Sequence, residues 1–404
     1  HHLNSFFGLC FAFTLAVMLL AAADNFWLFL AAWLSMSICM AGLIGHNRLW
    51  GEARIAGRHA LRYFGVGALL LALAGLLLAF TTGDHIISGF IQARQEVDSG
   101  ILLIAALLIL LSAMVQSALF PFQSWLMSSM TTPTPASALM HAGFVNAGGI
   151  LLTRFAPLYY ETDLLGLIVL IGGFGALLGK FWKFIQNNIK RKLGCSTVSQ
   201  MGFMILQCGL GFFTAAVSHL ILHGFYKAFL FLSFGTRVAH TIPAQKDRTI
   251  AGPANLPVIL VSGLLGGWLF ASLTGKGLAL NSGFFLTFVV ILTIIHGTQD
   301  IVKRQQLSGW LRLAAIPALF LPAVLVYALI FNAVSGLMEG MPMVQQPTPL
   351  RWYHGLLTAG YLFAFLAIEF SWYKRAQRLY VSLLNLSQPH SGTVLTFKND
   401  RYGR

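Results

Sequence analysis

The sequence predicts an all-α protein that crosses a membrane many times, and three observations predict it. Of its 404 residues 57% are hydrophobic and only 9% charged, with a mean hydropathy of +0.75, whereas soluble domains carry roughly 25% charged residues. Apolar runs of about 17 residues or more, the length a helix needs to cross the hydrocarbon core, recur twelve times. The remaining basic residues gather in the short segments between those runs, which is how membrane topology sorts charge. The net charge of +14 therefore reflects topology, and nucleic-acid binding is excluded as an explanation for it.

In order, the predicted helices are 5–23, 26–45, 60–80, 101–120, 134–156, 163–183, 197–213, 215–235, 256–273, 283–299, 313–334 and 354–373, with 197–213 and 256–273 the weakest of the twelve. If successive helices alternate in direction, 21 of the 26 Lys and Arg residues fall on one face, including Arg48, Arg54, Arg58, Arg62 and the Lys190, Arg191, Lys192 cluster. Only Arg94, Arg154, Lys276 and Arg351 fall on the other, and Lys227 lies inside. The first face is expected to be cytoplasmic and to carry both ends of the sequence. One missed helix would scramble this separation, so the count and the charge pattern support each other.

No long linker divides the chain, which reads as one membrane domain. The segment from Ser335 to Pro349, with Pro342, Pro347 and Pro349, is the most irregular on the outer side, and the tail 374–404 reads as a cytoplasmic solvated end with an amphipathic start. Cys10, Cys39, Cys195 and Cys208 show no paired spacing, so neither a zinc site nor a disulfide framework is expected. The start, HHLNSFFG, has neither an initiator Met nor the basic segment of a signal peptide, as expected of a sequence that begins inside a longer protein.

Chemistry concentrates in two places. In 215–235, AVSHLILHGFYKAFLFLSFG places His219, His223 and Lys227 four residues apart, so that all three share one helical face about 6 Å apart along the axis. A charged group at mid-membrane costs about 2.5–3.5 kcal/mol even on the lenient scale, so such a face should look into protein or water. Packing histidines with satisfied nitrogens are the plain alternative for His219 and His223; a mid-helix lysine has few such excuses. Around 116–149, Pro121 removes a backbone donor and breaks a helix. Pro133 and Pro135 then set the start of the next helix, which carries His141 and Asn146 and is loosened by Gly143, Gly148 and Gly149. Broken helices with polar residues near the midplane are how many transporters house ion sites. His141 could equally bond a broken-helix carbonyl, and Gln116 and Asn146 more often tie helices together than line a path. His296, a candidate exit relay, and Glu369 have an interfacial or paired structural role as their plainer reading.

The runs FPFQSWL, PTPASALMHAG, IKRKLGCSTVSQMGFM and HLILHGFYKAFLFLSFG resemble the antiporter-like membrane subunits of respiratory complex I and the Mrp cation/proton antiporters. Within them, HAGFVNAGGILLTRFAPL and STVSQMGFMILQCGLG are most similar to the DabB type, the membrane subunits of two-part DAB inorganic-carbon transporters. The resemblance spans about Phe6 to Gly235. It implies two inverted five-helix repeats, here 5–156 and 163–299, followed by C-terminal helices in 313–373, with one broken helix per repeat. The second break is expected at Gly263, Gly266 and Gly267. It also implies three further N-terminal helices.

Two of the family's charged positions are replaced. The glutamate that follows a tryptophan in the second helix aligns with Leu34 after Trp33, and the lysine before the first break aligns with Gln116. Neither Leu nor Gln titrates, so the paired-charge proton transfer of complex I is not expected in the first half. His141, His219, His223 and Lys227 remain, and histidine titrates near neutral pH. The resemblance implies a subunit that passes protons, or sodium ions, and couples that flow to CO2 hydration in a large zinc-containing DabA-type partner resembling β-carbonic anhydrases. The chain itself is expected to hold no metal, cofactor or catalytic centre. The rival expectations are an antiporter-like subunit of complex I, a membrane hydrogenase or an Mrp antiporter, or a scaffold that only anchors its partner.

Overall fold

The computed structural model describes residues 3–234, 256–277, 279–302, 309–370 and 372–394. Every predicted run is helical. The principal helices are α1 (Leu3–Ala22), α2 (Phe26–Ile44), α3 (Gly51–Thr82), α4 (Ser99–Gln116), α5 (Ser124–Ser128), α6 (Thr134–Ala142), α7 (Ala147–Arg154), α8 (Leu165–Ile185), α9 (Ile189–Gly209), α10 (Phe213–Phe234), α11 (Leu256–Thr274), α12 (Ser282–Val302), α13 (Gly309–Leu337), α14 (Trp352–Glu369) and α15 (Gln377–Leu386). Among the described residues no strand forms, and ten helical stretches are long and apolar enough to cross a membrane, α6 and α7 together making one of them. The other two predicted runs, α9 and α14, fold as helices of 21 and 18 residues but are less apolar. In α9 this reflects polar side chains on the face turned into the bundle.

The first break lies earlier than Pro121 alone suggests. Helix α4 ends at Gln116, and Ala118 adopts a left-handed conformation (φ 51°). The amides of Ser117 and Leu119 turn back onto the carbonyls of Ala113 and Met114, a common helix stop. A helix continued to position 121 would drive the proline ring into the carbonyl four residues back, so the chain must leave the helix beforehand. The Trp125 indole N–H, from α5, donates to the Val115 carbonyl at 2.9 Å. Trp125 also packs with Phe64 of α3 and Phe144, at ring separations of 4.8 and 5.7 Å, so aromatic packing fixes the fragment after the break. The helix expected over 134–156 is interrupted as Gly143 predicts: α6 stops at Ala142, a 3-10 turn spans Phe144–Asn146, and α7 resumes at Ala147.

The second expected break is absent. Helix α11 runs unbroken through Gly263, Gly266 and Gly267. These glycines serve close packing instead: a Cβ at each would stand 2.5, 2.4 and 2.3 Å from Ile295, Ile294 and Ile291 of α12. Without proline the backbone keeps its donors, and burial against a neighbouring helix favours continuity over the conformational freedom of glycine.

Contacts define two faces. On one, the amino end of α3, α5, the α8–α9 turn and the tail after α15 meet. On the other, Arg154 donates to the carbonyls of Ala21 and Ala23, Arg351 pairs with Asp163 at 3.1 Å, and the 344–348 strip lies across the starts of α10 and α12. The tail differs from the solvated end expected. Leu383, Ser387 and Thr393 are buried, because polar groups of the bundle bond its backbone as it crosses the first face.

Helices α8 and α9 form the closest pair. A Cβ at Gly202 would lie 2.3 Å from the Ala176 nitrogen, and one at Gly172 would lie 2.3 Å from the Leu206 nitrogen. Backbone cannot move aside as a side-chain tip can. Gly202→Ala is therefore expected to destabilise the protein by about 1–3 kcal/mol, read as a lower thermal unfolding midpoint in detergent. Gly65→Ala in α3, whose Cβ meets nothing within 4 Å, is expected to be neutral or to stabilise by less than about 1 kcal/mol. Equal midpoints for the two variants would contradict the close α8–α9 contact.

Candidate ion path

Helix α10 carries the ladder. With four-residue spacing, His219, His223 and Lys227 turn towards α9 and the break between α6 and α7 rather than towards lipid, while Phe225, Tyr226 and Phe229 cover the exposed side. Gly224 permits the approach: a Cβ there would stand 2.8 Å from the Ala142 carbonyl oxygen. Lys227 is fully buried and His223 nearly so. The His219 and His223 rings lie 5.9 Å apart and nearly parallel. Both ring nitrogens of His223 and Nε2 of His219 have no protein partner.

A hydrogen-bonded link joins the ladder to the first half. Lys227 Nζ donates to the Leu193 carbonyl at 3.0 Å, and Thr197 Oγ1 donates to that same carbonyl at 3.1 Å. The Thr197 hydroxyl proton is thereby used, so Thr197 accepts at 3.0 Å from Nδ1 of His141. This assigns the proton of neutral His141 to Nδ1 and leaves Nε2 as a buried acceptor without a protein partner. The His141 ring also stacks on Phe231 of α10 at 4.6 Å. No carboxylate pairs with Lys227 among the described residues. A buried cation costs several kcal/mol, against about 1–2 kcal/mol for one interhelical bond in a membrane. Structural bonding alone therefore does not account for a lysine at this position.

Gln116, Asn146 and Pro121 belong to the breaks. Gln116 Nε2 reaches the Phe144 carbonyl at 3.4 Å and Ser117 Oγ donates to the Val145 carbonyl at 2.9 Å, so the end of α4 satisfies acceptors freed in the 144–146 turn. Asn146 Nδ2 donates to the carbonyls of Ala142 and, in α10, Leu220, at 2.7 and 3.3 Å. Both side chains tie the breaks together, and Asn146 binds them to the ladder. Pro121 stands at the turn and touches no ladder residue through any recorded bond. Gly266 and Gly267 lie in the unbroken α11, away from this link.

His296 is separated from the ladder by a cavity of about 480 Å³ between α8–α14. His219, His296 and Lys180 are all among the residues that line it. Its walls are largely aromatic and aliphatic, and Gln207, His219, Tyr327 and Tyr361 are among the residues lining it, with Gln207 Oε1, His219 Nε2 and the two tyrosine hydroxyls buried without protein partners. Orphaned groups of this kind each forfeit roughly 1–3 kcal/mol unless water or another ligand meets them, and the volume admits several waters at about 30 Å³ each. His296 Nδ1 stands 4.0 Å from a Glu369 oxygen.

Several of these residues escape sequence reasoning. Thr197, the Leu193 carbonyl, Gln207, Tyr327 and Tyr361 join the arrangement only through folding. Ser199, Gln200, Phe203 and Gln207, which line the cavity together, repeat at near-helical spacing in α9 and form the one local signal. Lys190, one turn before Leu193, donates to the Met130 and Thr132 carbonyls at 2.7 Å each, closing the end of the first broken segment. Lys276 is buried with its ammonium 3.3 Å from the centre of the Phe331 ring and 5.3 Å from that of Phe212. Leu34 is 39% exposed on α2, turned away from the adjoining buried Trp33. Among the described residues no group of three or more His, Cys, Asp or Glu side chains could hold a metal.

Comparison with known proteins fits this architecture. A family described as "NADH:quinone oxidoreductase/Mrp antiporter, TM" matches residues 23–308. The probable inorganic carbon transporter subunit DabB1 of Halothiobacillus neapolitanus is 40% identical over 241 residues, 58% of this chain and 43% of that protein. The probable DabB of Bacillus subtilis is 37% identical over 238 residues, 56% of this chain and 46% of that protein. NADH-quinone oxidoreductase subunit L of Mycobacterium tuberculosis is 37% identical over 264 residues, 63% of this chain and 41% of that protein. The aligned part is thus under half the length of each of these relatives. A chain of the Mrp complex from a Dietzia species shares the fold, with a TM-score of 0.56 and 24% identity over 95% of this chain and 41% of that one. The chain belongs to the NADH:quinone oxidoreductase/Mrp antiporter family of membrane subunits, and within it is similar to antiporter-like subunits of the DabB type.

Proposed function

We propose that this chain is the ion-conducting membrane subunit of a DAB-type inorganic-carbon accumulation system. The observation that carries the conducting role is the buried polar cluster in which His141, through Thr197, and Lys227 converge on the Leu193 carbonyl, with His223 and His219 beyond them and the cavity that His219 and His296 both line. The names of the DabB relatives support the carbon-accumulating role. Protons move between groups that both donate and accept, and imidazoles and hydroxyls do both. Lys227 holds a proton beside a single carbonyl, and passing that proton to a neighbouring imidazole moves the uncompensated buried charge one step along the ladder. Water in the cavity joins His219 to His296, with Tyr327 and Tyr361 anchoring its hydrogen bonds. In this reading the ion is a proton, entering the bundle in the first half and leaving by the second, and the two five-helix repeats 5–156 and 163–299 meet at the ladder. The basic face is cytoplasmic. The partner is a large zinc-containing DabA-type subunit in which proton flow drives CO2 hydration to bicarbonate; this chain supplies no metal ligands to it.

The second reading, a subunit of a quinone-reducing or Mrp-type complex, is favoured by the likeness to NADH-quinone oxidoreductase subunit L. The co-purifying partner decides between them: a zinc protein supports the carbon role, and a partner with flavin or iron–sulfur absorbance supports the other.

Lys227→Ala is expected to reduce carbon-dependent growth support and proton flux in vesicles to background while the complex still assembles; full activity would overturn the relay. Tyr327→Phe combined with Tyr361→Phe is expected to lower proton flux several-fold without loss of assembly. Unchanged flux in the double variant would remove the cavity from the path.

A further inference from the structure

The segment after α15 crosses the basic face and is bonded to the first broken segment at both ends. Gln123 Nε2 donates to the Leu386 carbonyl at 3.0 Å, and the His390 amide donates to Ser128 Oγ at 2.9 Å. Between these two bonds lies the whole of α5. A third bond, from Gln186 Nε2 to Ser387 Oγ at 2.8 Å, fixes the strap to the end of α8. These residues are 200 or more positions apart in sequence, and Gln123, Ser128, Gln186 and Ser387 are buried.

Two histidines meet where the strap crosses α3. The rings of His59 and His390 stand 4.6 Å apart, and His59 Nε2 is 3.0 Å from Ser124 Oγ of α5. His390 closes its own turn: its Nδ1 accepts from the Gly392 amide at 3.2 Å, and its carbonyl accepts from the Thr393 amide and hydroxyl at 2.8 and 2.7 Å. A ring nitrogen that accepts from an amide carries no proton, so the turn requires neutral His390. Protonation would set N–H against N–H at Gly392. It would also bring a cation beside His59, which already faces Arg62 and the Tyr63 ring of α3. From α5 the pair meets only the hydroxyls of Ser124 and Ser128. Among the described residues no carboxylate forms an ion pair with either histidine.

We propose that the His390 turn is an acid-released latch that clamps the broken segment α5 from the basic face. The neutral imidazole favours the latched state, because only an unprotonated Nδ1 accepts from the Gly392 amide, so the latch weakens as that face becomes acidic. Release frees Gln123 and Ser128. Segment α5 leads directly to the Met130 and Thr132 carbonyls held by Lys190 and on to α6, which carries His141. Loss of the clamp therefore loosens the support of His141, and flow declines as protons accumulate on the basic face. This consequence for flow rests on the conduction reading; the release does not.

The test is hydrogen exchange of strap peptides in the full chain, in nanodiscs, at pH 7.5 and 5.5, corrected for the intrinsic pH dependence of exchange. In the wild type the 386–394 region is expected to exchange about tenfold faster at the lower pH, the scale of one lost capping bond. In His390→Asn the side-chain oxygen still accepts from the Gly392 amide but does not titrate, and protection is expected at both pH values. Wild-type exchange that ignores pH, or an Asn variant with the wild-type response, would overturn the latch. Should His390→Asn fail to hold the strap at either pH, His59→Gln, which leaves the His390 turn intact, decides: its pH response is expected to persist, and a response that vanishes with His59 overturns the His390 turn as the switch. In proteoliposomes, wild-type flux is expected to fall on acidifying the basic face while that of His390→Asn stays level. Strap release with constant flux overturns the regulatory step, and absence of flux from every variant overturns the conduction reading while the exchange data still judge the latch.

Discussion

The structure depends on one constraint: where a membrane helix breaks, the freed backbone groups need partners that lipid cannot supply. Here two breaks lie side by side and meet much of that need mutually. The end of α4 bonds the 144–146 turn through Gln116 and Ser117, and Trp125 from beyond the first break reaches back to Val115. Asn146 adds a bond into α10 and Lys190 closes the far end. The polar residues of this region are thus largely committed to backbone, and the groups left uncommitted stand out against them.

Several uncommitted groups belong to the ladder, to His141 or to residues lining the cavity, while others, such as Trp33 Nε1, Tyr159 Oη and Trp182 Nε1, lie elsewhere. His141 Nε2, both nitrogens of His223, His219 Nε2, Gln207 and two tyrosine hydroxyls are all buried without protein partners. A buried polar atom is seldom left unsatisfied unless water or another ligand meets it. The replacement of two charged family positions by Leu34 and Gln116 sharpens the contrast. Gln116 serves as a backbone partner and Leu34 is turned outward, and the titratable groups beside the first breaks are His141 and, across Thr197 and the Leu193 carbonyl, Lys227. The second half, with its unbroken α11, has a cavity that Phe270 of α11 lines but the glycines of the expected break do not. In this half the interior space lies between helices rather than within an opened one.

The tail adds a connection that sequence proximity does not suggest. Its helix α15 presents Tyr380 and Leu384 to the bundle, and the following residues hold α5 by backbone bonds. A short fragment of five residues between two irregular segments has little stability of its own. Its position is set by what grips it: Trp125 and its aromatic neighbours within the bundle, and the strap at the surface.

The sequence by itself determined the membrane class, the helices, the first break, the polar face of α10 and the family, because apolar length, proline and four-residue spacing act locally and leave local patterns. It expected a second break at Gly263, Gly266 and Gly267 that α11 does not have, since glycine permits either a break or a close contact and only the neighbouring isoleucines of α12 select the contact. It left the tail as a solvated end, because the bonds that hold it come from residues more than 200 positions away. Tertiary structure alone decided that Thr197 and the Leu193 carbonyl join His141 to Lys227, and that Tyr327 and Tyr361 share a cavity with His219. The physical reason is the same throughout: a hydrogen-bonded path is a property of distances between helices, and helix-to-helix distances are fixed by packing, which no single segment encodes.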